Sequence, residues 1–323
     1  MSSSAGFRTQ HLAIVGLGLM GGSMALALRA SAATITAVDP NPESRRYALE
    51  HGIVDHATDD LKAGVTEADT VILAAPVRVI VDMLEKRIGS YLRSNTLLID
   101  IGSTKRNICE AMGKLPVGIQ AVGGHPMTGK ERSGIWESDA ELWRGRPFVL
   151  TPTRRTTPAT MLRALGLVET LGAVPFEMEP IHHDRVVAAI SHLPYLLSAA
   201  LVATVAQEAT RDSDVWRLAA GGFRDTSRLA GSDLTMMTDI LSTNPQSVAT
   251  LLALFRVQLA HMEAMLISGE YKALEQFLQP VREARLQWQQ EYEAKRTNHE
   301  PTQDRVSHPA ADALDGNHRG AGG

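Results

Sequence analysis

Gly16, Gly18 and Gly21 form a G-x-G-x-x-G run, Gly16-Leu17-Gly18-Leu19-Met20-Gly21, directly after the apolar stretch Leu12-Ala13-Ile14-Val15 and at the start of a helical pattern from Met20 to Arg29. In a strand-turn-helix context these spacings suit a pyrophosphate. The first glycine permits the tight turn, the second lets the backbone approach phosphate, and the third lets helix and strand pack closely, while the free N–H groups of the first helical turn face the negative charge. The next β-branched run, Ile35-Thr36-Ala37-Val38, ends at Asp39, 23 residues past Gly16, where a carboxylate can accept hydrogen bonds from both adenosine ribose hydroxyls. That carboxylate would repel a 2′-phosphate, so NAD is favoured over NADP. Arg45 and Arg46 argue the other way, since either could help hold a phosphate. The Ala74-Ala75-Pro76 turn after the third apolar run puts Ala75 and Pro76 along such a cofactor, or serves only as a turn.

Four further clusters carry reactive side chains. Asp100-Ile101-Gly102-Ser103-Thr104-Lys105 and the segment 123–134, GGHPMTGKERSG, fall where strand ends meet loops, the edge at which open α/β sheets bind ligands. Ser191-His192-Leu193-Pro194-Tyr195 and the segment 221–228, GGFRDTSR, lie further on. His125 offers an imidazole that titrates near neutrality, suited to taking up hydroxyl proton charge, or a plain turn residue. Ser103 offers a hydroxyl or an N-cap for the helix after it, and Arg228 offers a carboxylate anchor or a partner for Asp225. His182, His183 and Asp184 stand at a helix start with no matching ligand set, so no metal is expected. The lone Cys109 reads as a small apolar helix residue and excludes an internal disulfide, which suits a reducing compartment.

Positioning these groups requires a scaffold, and its pattern is legible. Between residues 11 and 178, β-branched runs such as Thr70-Val71-Ile72-Leu73, Leu97-Leu98-Ile99 and Phe148-Val149-Leu150 alternate with helix-length segments. This predicts a Rossmann-type, doubly wound α/β domain with a parallel sheet covered on both faces, preceded by an arm at 1–10. Strand signals vanish after Glu179, and apolar residues recur at helical spacing, so residues 179–292 are expected to be all-helical. The polar segment 293–323 is expected to be a disordered tail.

Lys and Arg number 32 against 36 Asp and Glu, a net charge of −4 with no basic block, which excludes a phosphate-backbone footprint and hence nucleic acid. The apolar segment 12–28 follows Arg8 and precedes Ala30-Ser31-Ala32, imitating a signal peptide, but four glycines interrupt it and Arg29 intervenes. No other stretch is read as approaching the roughly 20 residues of a membrane span. A cytoplasmic protein with no membrane association is the expectation.

The glycine loop, the D-x-G-S cluster, G-G-H-P-M-x-G-x-E-x-S-G, S-H-L-P and G-F-x-D-x-S-R, in this order, resemble the prephenate/arogenate dehydrogenase family of tyrosine biosynthesis, over roughly residues 11–290. The resemblance implies NAD-dependent oxidative decarboxylation of prephenate to 4-hydroxyphenylpyruvate and CO2, with arogenate dehydrogenase or a dual-specificity cyclohexadienyl dehydrogenase as alternatives. It implies that His125 contacts the ring hydroxyl, that Ser103 supports both, that Arg228 anchors substrate carboxylate, and that Glu131 lies near the mouth of the site. Thr128, in the same motif, falls among the implied substrate contacts. It further implies a homodimer of intertwined helical domains in which Gly221 and Gly222 approach the partner's substrate site. One position departs: many prephenate-using relatives carry S-H-L-P-H, whose last histidine reaches the substrate side chain, and this chain has Tyr195. A hydrogen-bonding tip is kept and a possible cation lost, so prephenate and arogenate both stay open. His192 reads as an orienting or packing residue.

The residues suit that reaction independently of the family. It needs a hydride acceptor, a neutral histidine and a cation to orient a dianion, and no metal. The β-hydroxyacid dehydrogenases share the G-L-G-x-M-G opening but rely on an interdomain lysine, and no lysine occurs between Lys130 and Lys272. An NAD-sensing regulator would need no convergence of His125, Ser103 and Arg228. Too few residues flank the two domains for an ACT-type domain or a chorismate mutase, so a monofunctional enzyme is expected. Leu251, Leu252, Leu254, Phe255, Val257 and Leu259 are more apolar surface than one small helical domain covers, which also predicts a symmetric partner.

Overall fold

A computed structural model describes residues 6–297. The chain divides into two compact units, one ending at Leu274 and one beginning at Glu275. The first opens with β1 (Thr9–Val15), α1 (Leu19–Leu28), β2 (Ala32–Val38), α2 (Pro42–Glu50), β3 (His56–Thr58), α3 (Leu61–Val65), β4 (Thr70–Leu73) and α4 (Val77–Lys86). It continues through β5 (Leu97–Asp100), α5 (Arg106–Gly113), β6 (Gln120–Pro126), β7 (Pro147–Pro152), α6 (Pro158–Thr170) and β8 (Val174–Glu177). The eight strands form one sheet in the order β3-β2-β1-β4-β5-β6-β7-β8. The order reverses between β1 and β4, which puts the glycine loop at the switch point where doubly wound sheets bind nucleotides.

Both faces of the sheet are covered, and the period-2 geometry of a strand explains the unbroken apolar runs. Along β1, Leu12 and Ile14 pack with Met24, Leu28 and Leu167 on one face. Ala13 and Val15 pack with Ile80, Ile108 and Met112 on the other. The expected parallel sheet needs one correction, because β7 pairs antiparallel to β6, with His125 opposite Val149, and β8 then follows β7 in parallel. Parallel neighbours need a crossover, commonly a helix. The β6–β7 connection contains only two single-turn 3-10 segments, Ile135–Glu137 and Ala140–Trp143, and the chain returns antiparallel. β1 also begins at Thr9, inside the segment read as an arm, where Gln10 N donates to Asp69 at 2.9 Å.

Helices follow: α7 (Pro180–Val187), α8 (Leu193–Ala209), α9 (Asp214–Leu218), α10 (Gly221–Ser227), α11 (Leu234–Thr243) and α12 (Pro245–Ser268). A π turn at Ala188–His192 joins α7 to α8. Pro194 lacks an N–H and its ring crowds the preceding turn, and the wider π turn accommodates it. The C-terminal end of α11 meets the sheet domain: Arg78 N and Nε donate to Asp239 at 3.3 and 2.7 Å, and the Thr104 and Thr243 hydroxyls lie 2.9 Å apart. Two helices, Pro180–Ala209 and Pro245–Ser268, are long and apolar enough by length and composition to cross a membrane, which corrects the reading that no second stretch approached a span. Leu254, Val257 and Ile267 of α12 are 58%, 64% and 80% exposed.

The second unit, within the described residues, is the greater part of α13 (Tyr271–Thr297). Pairs four residues apart line it, among them Gln279–Glu283 at 2.6 Å and Gln289–Glu293 at 2.8 Å, and Trp288 stacks on Tyr292. The helix therefore runs beyond residue 292, where a tail was expected to begin, and 298–323 lie outside the described residues.

Candidate active site

Each glycine of the nucleotide loop has a distinct steric reason. Gly16 adopts φ +108°, and a Cβ there would sit 2.4 Å from the Ala74 carbonyl oxygen. A Cβ on Gly21 would fall 1.8 Å from the Gly16 oxygen, so α1 and the turn touch backbone to backbone. Gly18 is exposed, a Cβ there would meet nothing within 4 Å, and it caps α1 with no side-chain hydrogen bond to the first-turn N–H groups. Space and donors for an anion therefore coincide at Gly18, beside Leu19 and Met20. Asp39 Oδ2 accepts from Leu17 N at 2.6 Å and Oδ1 from Asn41 N at 2.8 Å. It clamps the loop, and each oxygen keeps a lone pair for a ribose hydroxyl. Arg45 is held by the Asp39 carbonyl at 2.6 Å and by Asp59 at 3.4 Å, and Arg46 faces Glu50. Ala74 N donates to Val15 O at 2.7 Å, which keeps half-buried Ala75 and exposed Pro76, the N-cap of α4, alongside the loop.

His125 stands near the end of β6, and its backbone is set by buried charge. Lys105, fully buried, pairs with the equally buried Asp100 and donates to the Gly124 carbonyl at 2.6 Å, while Asp100 Oδ1 accepts from Gly124 N at 3.1 Å. Close approach is compulsory there: a Cβ on Gly124 would lie 2.4 Å from Asp100 O, and one on Gly123 2.0 Å from Thr151 Oγ1. The His125 ring then meets His183 of α7, and His183 meets Asp184. His125 Nδ1 and His183 Nε2 are 2.8 Å apart, and His183 Nδ1 and Asp184 Oδ1 are 2.8 Å apart. Asp184 also accepts from Lys105 N at 2.7 Å and Arg106 N at 3.0 Å, and its carbonyl accepts from Asn244 Nδ2 at 2.7 Å.

Electrostatics keep these imidazoles neutral. Burial, then the neighbouring His183, Lys105 and His192, hold His125 well below the ordinary 6.5. Burial likewise lowers His183 despite its bond to Asp184, and lowers His192 to about 4. A neutral imidazole accepts a hydrogen bond on one nitrogen, the property a hydroxyl-bearing substrate requires.

The remaining candidates divide into those drawn together and those left apart. Arg228 Nη1 pairs with Glu131 Oε1 at 3.0 Å, joining two residues 97 apart, while Asp225 is taken by Arg224 at 2.9 Å, so the Arg228–Asp225 pairing is not formed. Ser103 does not cap α5. Lys105 is its N-cap without a side-chain bond, and Asp184 takes the N–H groups of Lys105 and Arg106 instead, leaving the half-buried Ser103 hydroxyl for another role. Thr128 donates to Leu142 O at 3.1 Å, a tie within its loop. Tyr195 is 8% exposed and packs with Met237 and Ile240, so its ring is a core contact first. Gly221 and Gly222 are exposed at the start of α10, and a Cβ on either would meet nothing within 4 Å in this chain. His192 is buried with Nδ1 3.4 Å from Asn244 Nδ2, as fits an orienting residue. Sequence reasoning missed His183 as the neighbour of His125 and Asp184 as the residue behind it. Adjacent His and Asp at a helix start were the only signal, and spacing alone could not connect them to a strand 58 residues earlier.

Two family models match, described as prephenate dehydrogenase, nucleotide-binding domain (residues 24–176) and prephenate dehydrogenase, dimerization domain (residues 179–280). The chain is 37% identical to the prephenate dehydrogenase of Bacillus subtilis over 238 residues, 73% of this chain, and spans 64% of that protein's length. Among solved structures it is similar to Aquifex aeolicus prephenate dehydrogenase in complex with hydroxyphenyl propionate and NAD+, with 32% identity, a TM-score of 0.78, and 86% of this chain and 98% of that one covered. It is also similar to Synechocystis arogenate dehydrogenase, with 31% identity, a TM-score of 0.75, and 86% and 100% covered.

Proposed function

The chain belongs to the prephenate/arogenate dehydrogenase family, and we propose that it catalyses NAD-dependent oxidative decarboxylation of prephenate to 4-hydroxyphenylpyruvate and CO2. The observation that carries this reading is a half-buried His125, its pKa held below the ordinary value, at the carboxyl end of β6, in the same sheet as the glycine loop. The steric room at Gly18, the first turn of α1 and the lone pairs of Asp39 fit a dinucleotide with free ribose hydroxyls. NAD, when bound, supplies the hydride acceptor. His125 accepts the hydrogen bond of the ring hydroxyl and takes up its growing positive charge as the C–H bond breaks. Ser103, free of a capping duty, can hold the same hydroxyl, and Arg228 offers a cation that Glu131 keeps oriented toward the mouth of the site. Loss of CO2 with aromatisation makes the step effectively irreversible, and the product phenol retains the hydroxyl proton.

Arogenate is the second reading, favoured by one observation: Tyr195 packs against Met237 and Ile240, where a histidine would offer a cation to a keto acid side chain. A homodimer accounts for the exposed apolar face of α12 and for the dimerization-domain match, and the open space around Gly221 and Gly222 suits a partner's approach. We assign the two membrane-length helices to this subunit contact and the protein to the cytoplasm. Initial rates with prephenate and arogenate, each with NAD and NADP, test the reading. In His125→Asn, kcat should fall roughly 10²-fold to 10⁴-fold with a smaller change in KM. Turnover close to that of the unmodified protein would remove His125 from the reaction.

A further inference from the structure

We propose that His183 and Asp184 are positioning residues that set the tautomer of His125 and tie it to the loop carrying Ser103. The inference rests on the role of His125 proposed above, but its geometry stands on its own. Asp184 is buried, and its Oδ1 lies 2.8 Å from His183 Nδ1 and 2.7 Å from the Lys105 amide, while Oδ2 faces the Arg106 amide at 3.0 Å. The two amides are donors, and each partner of this carboxylate is one that an ionised group accepts from. His183 must therefore donate from Nδ1, and a neutral His183 then has its lone pair on Nε2. That nitrogen is 2.8 Å from His125 Nδ1, so His125 Nδ1 donates and its own lone pair lies on Nε2. The direction of every bond follows from the acceptor-only carboxylate at the end. His125 thus offers its remaining nitrogen as an acceptor, the state a substrate hydroxyl needs.

The same carboxylate performs a second duty. By taking the Lys105 and Arg106 amides it closes the N-terminal end of α5, where Lys105 as N-cap provides no side-chain bond. Ser103 lies two residues before Lys105, so Asp184 holds the ring and the serine loop from one point. Asn244, whose Nδ2 donates to the Asp184 carbonyl at 2.7 Å, steadies that point from the start of α12. A positive charge growing on His125 is stabilised through His183 by Asp184, without either residue touching the substrate.

The test exploits direction. In Asp184→Asn a single amide oxygen replaces two acceptors, and because His183 and Lys105 share Oδ1 while Arg106 takes Oδ2, at least one of the three N–H groups faces the NH2 group whichever way the amide turns, which loosens the hold on the serine loop and on the His183 tautomer. His183→Gln preserves direction, because its oxygen accepts from His125 and its NH2 donates to Asp184, whereas His183→Leu removes the acceptor. The expected results with prephenate and NAD are a kcat loss of roughly 10²-fold to 10⁴-fold for Asp184→Asn and His183→Leu, with KM changing less than about threefold, and retention within about tenfold for His183→Gln. ¹⁵N NMR of histidine-labelled resting protein reads the tautomer with no substrate present, and should show His125 protonated on Nδ1 in the unmodified protein and a larger Nε2-protonated share in His183→Leu, where the Nδ1–H has lost its acceptor. If Asp184→Asn fails to fold, the His183→Gln and His183→Leu pair decides. An Nε2-protonated His125 in the unmodified protein, or equal kcat losses in His183→Gln and His183→Leu, overturns the proposal. An unmodified protein with the expected tautomer but no turnover of prephenate or arogenate would instead refute the proposed reaction and leave the relay standing.

Discussion

Acidification should destabilise this protein well above the pH at which carboxylates titrate, and His192 allows the size to be worked out. Its imidazole is buried, 3.4 Å from the Asn244 amide, and burial lowers its pKa from 6.5 to about 4. A histidine whose folded pKa is depressed stays neutral in the fold while the unfolded chain binds a proton, so stability is full above 6.5 and is lost as pH falls toward about 4. At roughly 1.4 kcal/mol per pH unit, this one group removes about 2 kcal/mol at pH 5 and about 3 kcal/mol near pH 4. His125 and His183 are lowered by the same cause and act with the same sign, so the total fall is larger. Urea unfolding at pH 7 and pH 5, at one fixed protein concentration because assembly would shift the apparent midpoint, measures the difference. In His192→Gln the gap between the two pH values should shrink by about 2 kcal/mol, whatever the substitution does at pH 7. An unchanged gap, or higher stability at pH 5 than at pH 7, would refute the assignment of a neutral buried imidazole.

The second and third glycines of the nucleotide loop should separate folding from binding. Gly18→Ala meets open space and should leave the melting temperature within a degree or two while weakening NAD at least tenfold by calorimetry, whereas Gly21→Ala, 1.8 Å from a carbonyl oxygen, should lower the melting temperature itself. Replacing Asp39 with Ala should erode the preference for NAD over NADP and also raise KM for both, since the clamps on Leu17 N and Asn41 N go with it. Equal kcat/KM for the two nucleotides in the unmodified protein would sink that argument. Sedimentation at micromolar concentration should show a dimer, and co-refolded His125→Asn and Arg228→Ala chains test whether the site is shared. A fully active monomer would refute the assembly.

The sequence alone determined the Rossmann-type domain, the helical half and the glycine loop, because each is a local property. Runs such as Leu12-Ala13-Ile14-Val15 are apolar at every position only when both strand faces are covered, and Gly16 and Gly21 are required by backbone approaches within a few residues or one neighbouring strand. The motifs also singled out His125, Arg228 and Glu131 as candidates. What they could not determine was who touches whom across the chain. β6 was hidden because Gly123, Gly124, His125 and Pro126 are poor strand formers, and it is held by its pairing with β5 and β7 while buried Asp100 and Lys105 grip its backbone at Gly124. The reversal of β7 depended on a connection with no crossover helix, and α7 and α8 looked short of a membrane span only while the π turn that joins them was unseen. Tyr195 had a motif position but acquired a core position from Met237 and Ile240. His183 and Asp184 had no motif at all. The contact of His183 with His125 is a product of tertiary packing, since a hydrogen bond between residues 58 apart leaves no periodicity in the sequence and is decided only when α7 is laid against the end of the sheet.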